Sequence, residues 1–130
     1  MKILIVDDDT TDMKLLSAVL KASDHQVTEM ATAEHAVEEL EVRHPDVILL
    51  DMRLPGMSGL ALARQLKQDP QTQHIPIVAI TAAPEIFGME EALAAGCDAY
   101  LVKPVDTRKL VGQIENAAAP KTGRPPTRSS

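Results

Sequence analysis

Short apolar runs alternate along the chain with longer amphipathic stretches. Residues 3–6 read Ile-Leu-Ile-Val, four apolar positions of which three are β-branched, the composition of a strand covered on both faces. Thr10 or Thr11 is placed to cap a following helix, in which Met13, Leu16 and Leu20, with Leu15 and Val19, form an apolar stripe. Residues 26–30 form a weaker strand, expected at an edge of the sheet. Residues 33–43 read as a helix with Ala33, Val37 and Leu40 inward, stopped at His44-Pro45 because the residue before a proline avoids the helical region.

The second half repeats the alternation. Residues 47–50 are a buried strand ending on Asp51, and the segment from Leu54 to Gly59 is turn-rich. Ser58 or Gly59 opens a helix that carries Leu62 and Leu66 and ends before Pro70. A fourth strand lies within 75–81, after Pro76. Residues 87–95 are expected as a short helix stopped by Gly96. Residues 99–102 are a fifth strand, and 107–118 a last helix with Leu110, Ile114 and Ala118 aligned. Five strands alternating with five helices predict an α/β fold, a parallel sheet with helices on both faces. In such sheets ligands bind beyond the carboxyl ends of the strands, where the strand order reverses.

The polar residues at those ends are therefore the informative ones. The first strand ends at Asp7, Asp8 and Asp9, the third at Asp51, the fourth at Thr81 and the fifth at Lys103-Pro104. Two like charges ~5 Å apart at an effective dielectric of ~20 repel by about 3 kcal/mol. Such a cluster needs protons or a hard cation, and one lysine offsets only part of it. Mg²⁺ suits the remainder, since it takes one or two carboxylates and keeps water or phosphate oxygens elsewhere. With a nucleophilic carboxylate, a hydroxyl and an ammonium beside it, the set reads as phosphoryl transfer to an aspartate.

Composition narrows the classes. The chain has 130 residues, 45% hydrophobic and 25% charged, the size and balance of one globular domain. Its aromatics are Phe87 and Tyr100 alone, so single-stranded nucleic acid would find no stacking platform. Lys and Arg number 13 against 19 Asp and Glu, net −6, which argues against a general nucleic-acid or anionic-membrane binder. The 119–130 tail carries Lys121, Arg124 and Arg128 and no acid. Its Pro, Thr and Ser content predicts disorder, and Lys121 to Pro126 is only faintly like a minor-groove hook. The single Cys97 excludes an internal disulfide and fits a reducing compartment, where it is expected as a small buried hydrophobe. His25, His35, His44 and His74 are expected to be scattered on the surface, forming no ligand pair. No membrane-length apolar run or secretory signal is present in the sequence, so the cytoplasm is the expected location.

Four segments, Ile-Leu-Ile-Val-Asp7-Asp8, Leu-Leu-Asp51-Met-Arg-Leu-Pro-Gly-Met-Ser-Gly, Ile-Thr81-Ala and Gly-Cys-Asp-Ala-Tyr100-Leu-Val-Lys103-Pro104, resemble the receiver domain of bacterial two-component response regulators. The resemblance covers most of the chain and is nearest the free-standing chemotaxis and cell-division type, with no output domain expected after the 1–118 receiver. It implies a doubly wound, flavodoxin-like (βα)5 sheet of strand order 2-1-3-4-5. It implies Asp51 as phosphoacceptor, supplied by a sensor histidine kinase or a histidine phosphotransfer protein. Mg²⁺, replaceable by Mn²⁺ or Ca²⁺, would be held by Asp8, Asp51 and the Arg53 carbonyl, with Asp7 acting through water. Thr81 and Lys103 would bind the phosphoryl oxygens, Tyr100 would turn inward as Thr81 moves, and the Lys103-Pro104 peptide would be cis. The signal would pass by contact with a downstream protein through the α4-β5-α5 face, from a monomer or a phosphorylation-dependent dimer. Self-directed transfer and hydrolysis of this kind do not make the chain an enzyme in the ordinary sense. Arg53 and Ala83 occupy positions that tune dephosphorylation in that family.

Two other readings use the same residues. Asp7-x-Asp9-x-Thr11 resembles the first motif of haloacid-dehalogenase-type phosphatases, with Asp7 as nucleophile and Asp9 as acid/base. That reading lacks a later acidic pair, since only Asp106 and Glu115 follow Lys103, and it leaves Asp51 without a role. A receiver-like adaptor that is never phosphorylated is the third, and nothing in the acidic set favours it. Pro84, three residues after Thr81, fixes its own φ and restricts Ala83, which predicts a smaller loop rearrangement than is usual for receivers.

Overall fold

Every residue of the two central runs, Val47–Asp51 and Ile77–Thr81, is buried, as a strand with helices on both sides requires. In the computed structural model, which describes residues 1–119, ten elements follow in strict alternation. They are β1 (Lys2–Val6), α1 (Thr10–Lys21), β2 (Gln26–Met30), α2 (Ala33–Val42), β3 (Val47–Asp51), α3 (Gly59–Gln68), β4 (Ile77–Thr81), α4 (Met89–Ala94), β5 (Ala99–Val102) and α5 (Thr107–Ala118). All pairings are parallel and the order is β2-β1-β3-β4-β5, the doubly wound flavodoxin-like arrangement. β2 lies at an edge, with exposed and half-buried residues, as its weak pattern predicts. The 119–130 tail, apart from Ala119, falls outside the described residues.

The pleat sorts the strand residues onto two cores. Ile3, Ile5, Val47, Leu49, Val78 and Ile80 face one way and pack with Met13, Leu16 and Leu20 of α1 and Leu110, Ile114 and Ala117 of α5. Leu4, Val6, Ile48, Leu50, Ile77 and Ala79 face the other way and pack with α2, α3 and α4. Register keeps the alternation consistent, since Ile3 pairs with Val47 and Ile5 with Leu49, all on one face.

Local details correct several sequence expectations. The N-cap of α1 is Asp9, not Thr10 or Thr11; its Oδ1 accepts from the Asp12 N–H at 3.0 Å, and both threonines lie inside the helix. A carboxylate at this position also favours the positive end of the helix dipole. α4 starts at Met89 rather than at residue 87. Phe87 belongs to a preceding turn, donating its N–H to the Ala83 carbonyl at 2.9 Å, while Gly88 is extended. Gly96 follows α4 with φ +103°, the left-handed conformation that suits glycine after a helix. In α5 the third core residue is Ala117; Ala118 is half-buried at the margin.

The histidines are less scattered than expected. His25 is mostly buried, with Nδ1 3.0 Å from the Met1 ammonium and Nε2 2.9 Å from Glu115 Oε2, linking Met1 to α5. His44 and His74, both exposed, have ring centroids 5.7 Å apart. Cys97 is buried, and burial pushes its thiol up to about 11, with Asp98 adding to the rise and Lys67 opposing it.

Candidate functional site

The C-terminal ends of the strands are held level by backbone hydrogen bonds. The Asp7 N–H reaches the Met30 carbonyl at 3.0 Å, Met52 N–H the Ile80 carbonyl at 2.9 Å, and Lys103 N–H the Thr81 carbonyl at 2.8 Å. Residues that are far apart in sequence are thereby brought to one edge. Carboxylate oxygens of Asp7, Asp8 and Asp51, one from each residue, lie within 4.8 Å of one another. Asp7 and Asp51 are buried and Asp8 is exposed.

Each buried carboxylate has a defined partner for each oxygen. Asp7 Oδ1 accepts from the Asp9 N–H at 2.9 Å, and Asp51 Oδ1 from the Arg53 N–H at 2.9 Å. The Lys103 ammonium donates to Asp7 Oδ2 at 3.0 Å and Asp51 Oδ2 at 2.9 Å. Burial raises the Asp7 carboxyl to about 6; the Asp9 N–H and Lys103 pull against that rise, and the neighbouring Asp51 charge adds to it. Burial alone would lower the Lys103 ammonium, but its bonds to Asp51, Asp7 and Asp12 outweigh it and hold the group well above the ordinary lysine range.

Asp12 is the site residue that the sequence reading missed. Its Oδ2 forms an ion pair with Lys103 Nζ at 3.0 Å. The signal was present in outline, since Asp12 stands three residues after the true cap, Asp9, and so in the first turn of α1 facing the strand ends. With the cap placed at Thr10 or Thr11 that register was hidden.

Thr81, fully buried, accepts at Oγ1 from the Ala83 N–H at 2.9 Å, which leaves its own O–H to donate. Tyr100 is half-buried and donates its hydroxyl to the Phe87 carbonyl at 2.6 Å, fastening β5 to the turn before α4. The Lys103–Pro104 peptide is cis. Asp9 is committed to capping α1, which removes it from the acid/base role that the phosphatase reading assigns to it.

The donor set has the chemistry that a hard cation requires. It consists of oxygens alone, with one exposed and two buried carboxylates converging, and Lys103 contacts both buried ones and Asp12. Asp7, Asp12 and Asp51 share the one Lys103 ammonium and Asp8 adds a fourth carboxylate beside them, so negative charge remains, and the residues present fit Mg²⁺ or a similar ion.

Residues 3–115 match the family model of the response regulator receiver domain. The polar-differentiation response regulator DivK of Brucella ovis is 32% identical over 114 residues, which is 88% of this chain and 93% of that protein. A solved structure of a response regulator from Chloroflexus aurantiacus superposes with a TM-score of 0.87 at 34% identity, covering 92% of this chain and 98% of that one. The receiver domain of the sensor histidine kinase PA1611 of Pseudomonas aeruginosa superposes with a TM-score of 0.82 at 30% identity, covering 90% and 96%. That structure carries a magnesium ion coordinated in its active site cleft.

Proposed function

The chain belongs to the response regulator receiver family, a phosphorylation-dependent signalling switch of two-component systems, and on that premise we propose that Asp51 is its phosphoacceptor. The observation that carries the reading is the convergence of Asp7, Asp8 and Asp51 around one edge with Lys103 bonded to Asp51. An Asp51 carboxylate oxygen forms the new bond to phosphorus. The phosphorus–nitrogen bond of a phosphohistidine breaks, and its electron pair returns to the imidazole of the kinase or phosphotransfer protein. Asp8, Asp51 and the Arg53 carbonyl, with Asp7 through water, would hold a divalent cation, which would neutralise charge on the phosphoryl oxygens. Lys103 exchanges its contact with Asp51 Oδ2 for a phosphoryl oxygen, and the Thr81 hydroxyl donates to another.

The new charge shifts the switch only through contacts that differ between its two states. Thr81 supplies one, and its movement would release the Tyr100 hydroxyl from the Phe87 carbonyl. The exposed apolar residues Ile86, Met89, Leu93 and Val102, each 43–55% exposed, support the α4-β5-α5 side as the surface that meets a downstream protein. The receiver unit is taken as 1–118. No helix among the described residues is long and apolar enough to cross a membrane; it is membership of the receiver family that supports a cytoplasmic location.

The test is intact-mass spectrometry after incubation with acetyl phosphate and Mg²⁺. One phosphoryl adduct, sensitive to hydroxylamine and lost in Asp51→Asn or without the cation, is expected. An adduct that survives Asp51→Asn and disappears in Asp7→Asn would overturn the assignment in favour of a strand-one nucleophile. Absence of any adduct, even with the phosphorylated histidine domain as donor, would favour a non-phosphorylated adaptor.

A further inference from the structure

Lys103 serves a carboxylate that the receiver reading does not use. Two of its N–H bonds go to the buried oxygens of Asp51 and Asp7, and Asp12 Oδ2 stands 3.0 Å from the same nitrogen. Asp12 differs from the other two in kind. Its side chain is 40% exposed, whereas those of Asp7 and Asp51 are 1% and 7% exposed. Its backbone is pinned by the Asp9 cap, so the carboxylate is delivered to Lys103 by the first turn of α1.

We propose that Asp12 is a positioning residue for phosphoryl transfer: it retains Lys103 in the unphosphorylated protein and so opposes an incoming phosphoryl group while strengthening the pull on a divalent cation. The inference rests on the assignment of Asp51 as acceptor. An ammonium shared among three carboxylates offers each less of its charge than one shared between two. A phosphoryl group arriving at Asp51 must compete with Asp12 for Lys103, and it also meets Asp12 as a like charge. A cation at the same edge gains attraction from Asp12 instead. One residue thus acts with opposite sign on two steps. Loss of an ordinary structural role would impair both.

Asp12→Asn keeps the shape and removes the charge. Relative to wild type, Mg²⁺ affinity by calorimetric titration should fall about two- to fivefold, the range that a partly exposed ion pair commands. The initial rate of adduct formation with acetyl phosphate at saturating Mg²⁺ should rise by a similar factor. Both differences should shrink as NaCl is raised from about 0.02 to about 0.5 M, because exposed charges are screened. Asp12→Glu should return both quantities toward wild type. Glu38→Gln on α2, which removes the same net charge elsewhere, should change neither. The side-chain ¹⁵N resonance of Lys103 should shift in Asp12→Asn.

If affinity and rate fall together, or neither moves, the proposal is overturned. Should wild type accept no phosphoryl group, the Asp51 assignment fails by itself. The Mg²⁺ titration and the Lys103 resonance then still decide on Asp12, and an unchanged resonance refutes it.

Discussion

A β-carbon on Gly59 would lie 1.9 Å from the carbonyl oxygen of Asp51. The start of α3 is thus pressed against the end of β3, and the Gly59 N–H donates to the Met52 carbonyl at 3.0 Å. Any side chain would have to push away the backbone that carries the Asp51 carboxylate. Gly59→Ala should cost about 2–3 kcal/mol in urea unfolding, at the upper end for an overpacked site. It should also weaken Mg²⁺ binding, because the Asp51 carboxylate is re-aimed. A variant of wild-type stability and cation affinity would show that this contact relaxes freely.

Asp7 makes stability depend on pH in an unusual direction for a carboxylate. Its folded-state value of about 6 exceeds the ordinary 3.8, because burial penalises the charged form first. Between those values the folded protein holds the proton more tightly than the unfolded chain. Asp7 therefore contributes a loss of stability as pH rises from about 4 to about 6. In EDTA, Asp7→Asn should be more stable than wild type at pH 7 by about 1–3 kcal/mol, and the advantage should vanish near pH 4. Equal urea midpoints at pH 7 would contradict this.

Lys103 has the converse role. Lys103→Met leaves Asp7 and Asp51 facing each other without their cation, a change worth about 3 kcal/mol when charges are buried. The deficit should appear in EDTA and be largely recovered by Mg²⁺, which would bind the more negative pocket more tightly. At a hundredfold excess over its dissociation constant, a ligand adds about 2.7 kcal/mol. A deficit indifferent to Mg²⁺ would mean that Lys103 acts mainly through packing.

Cys97 should be inert in the folded protein. With its thiol raised to about 11 by burial, the thiolate fraction at pH 8 falls about a hundredfold below that of an ordinary thiol. Iodoacetamide labelling should therefore be at least about a hundred times slower natively than in urea. Comparable rates would indicate frequent local opening around Gly96.

The loop after β4 should move little. The Ala83 carbonyl accepts from both Ile86 at 3.0 Å and Phe87 at 2.9 Å, and Pro84 restrains the segment between. Amide shifts on phosphorylation should concentrate at Thr81 and Lys103, with residues 82–90 changing modestly. Large shifts throughout 82–90 would refute the restraint.

The apolar runs at 3–6 and 47–50 were legible because a strand buried on both faces leaves no place for a polar residue until it emerges. The point of emergence is the edge at which the polar side chains gather, so Asp7, Asp8, Asp51, Thr81 and Lys103 could be singled out from order alone. The start of α1 was less legible, since Asp9, Thr10 and Thr11 are all competent caps and only the chain's path off β1 selects among them. Asp12 was lost with that choice.

Sequence by itself determined the alternation of elements, the aliphatic core and the set of polar groups at the strand ends, because these follow from local hydrophobic period and chain punctuation. Tertiary structure alone decided which carboxylates share Lys103, that burial pushes the Asp7 carboxyl up, and how His25 comes to join Met1 and Glu115. Those outcomes depend on distances between segments up to ninety-six residues apart, as between Asp7 and Lys103. No local pattern encodes such a distance, and electrostatic energies inside a protein are set by it.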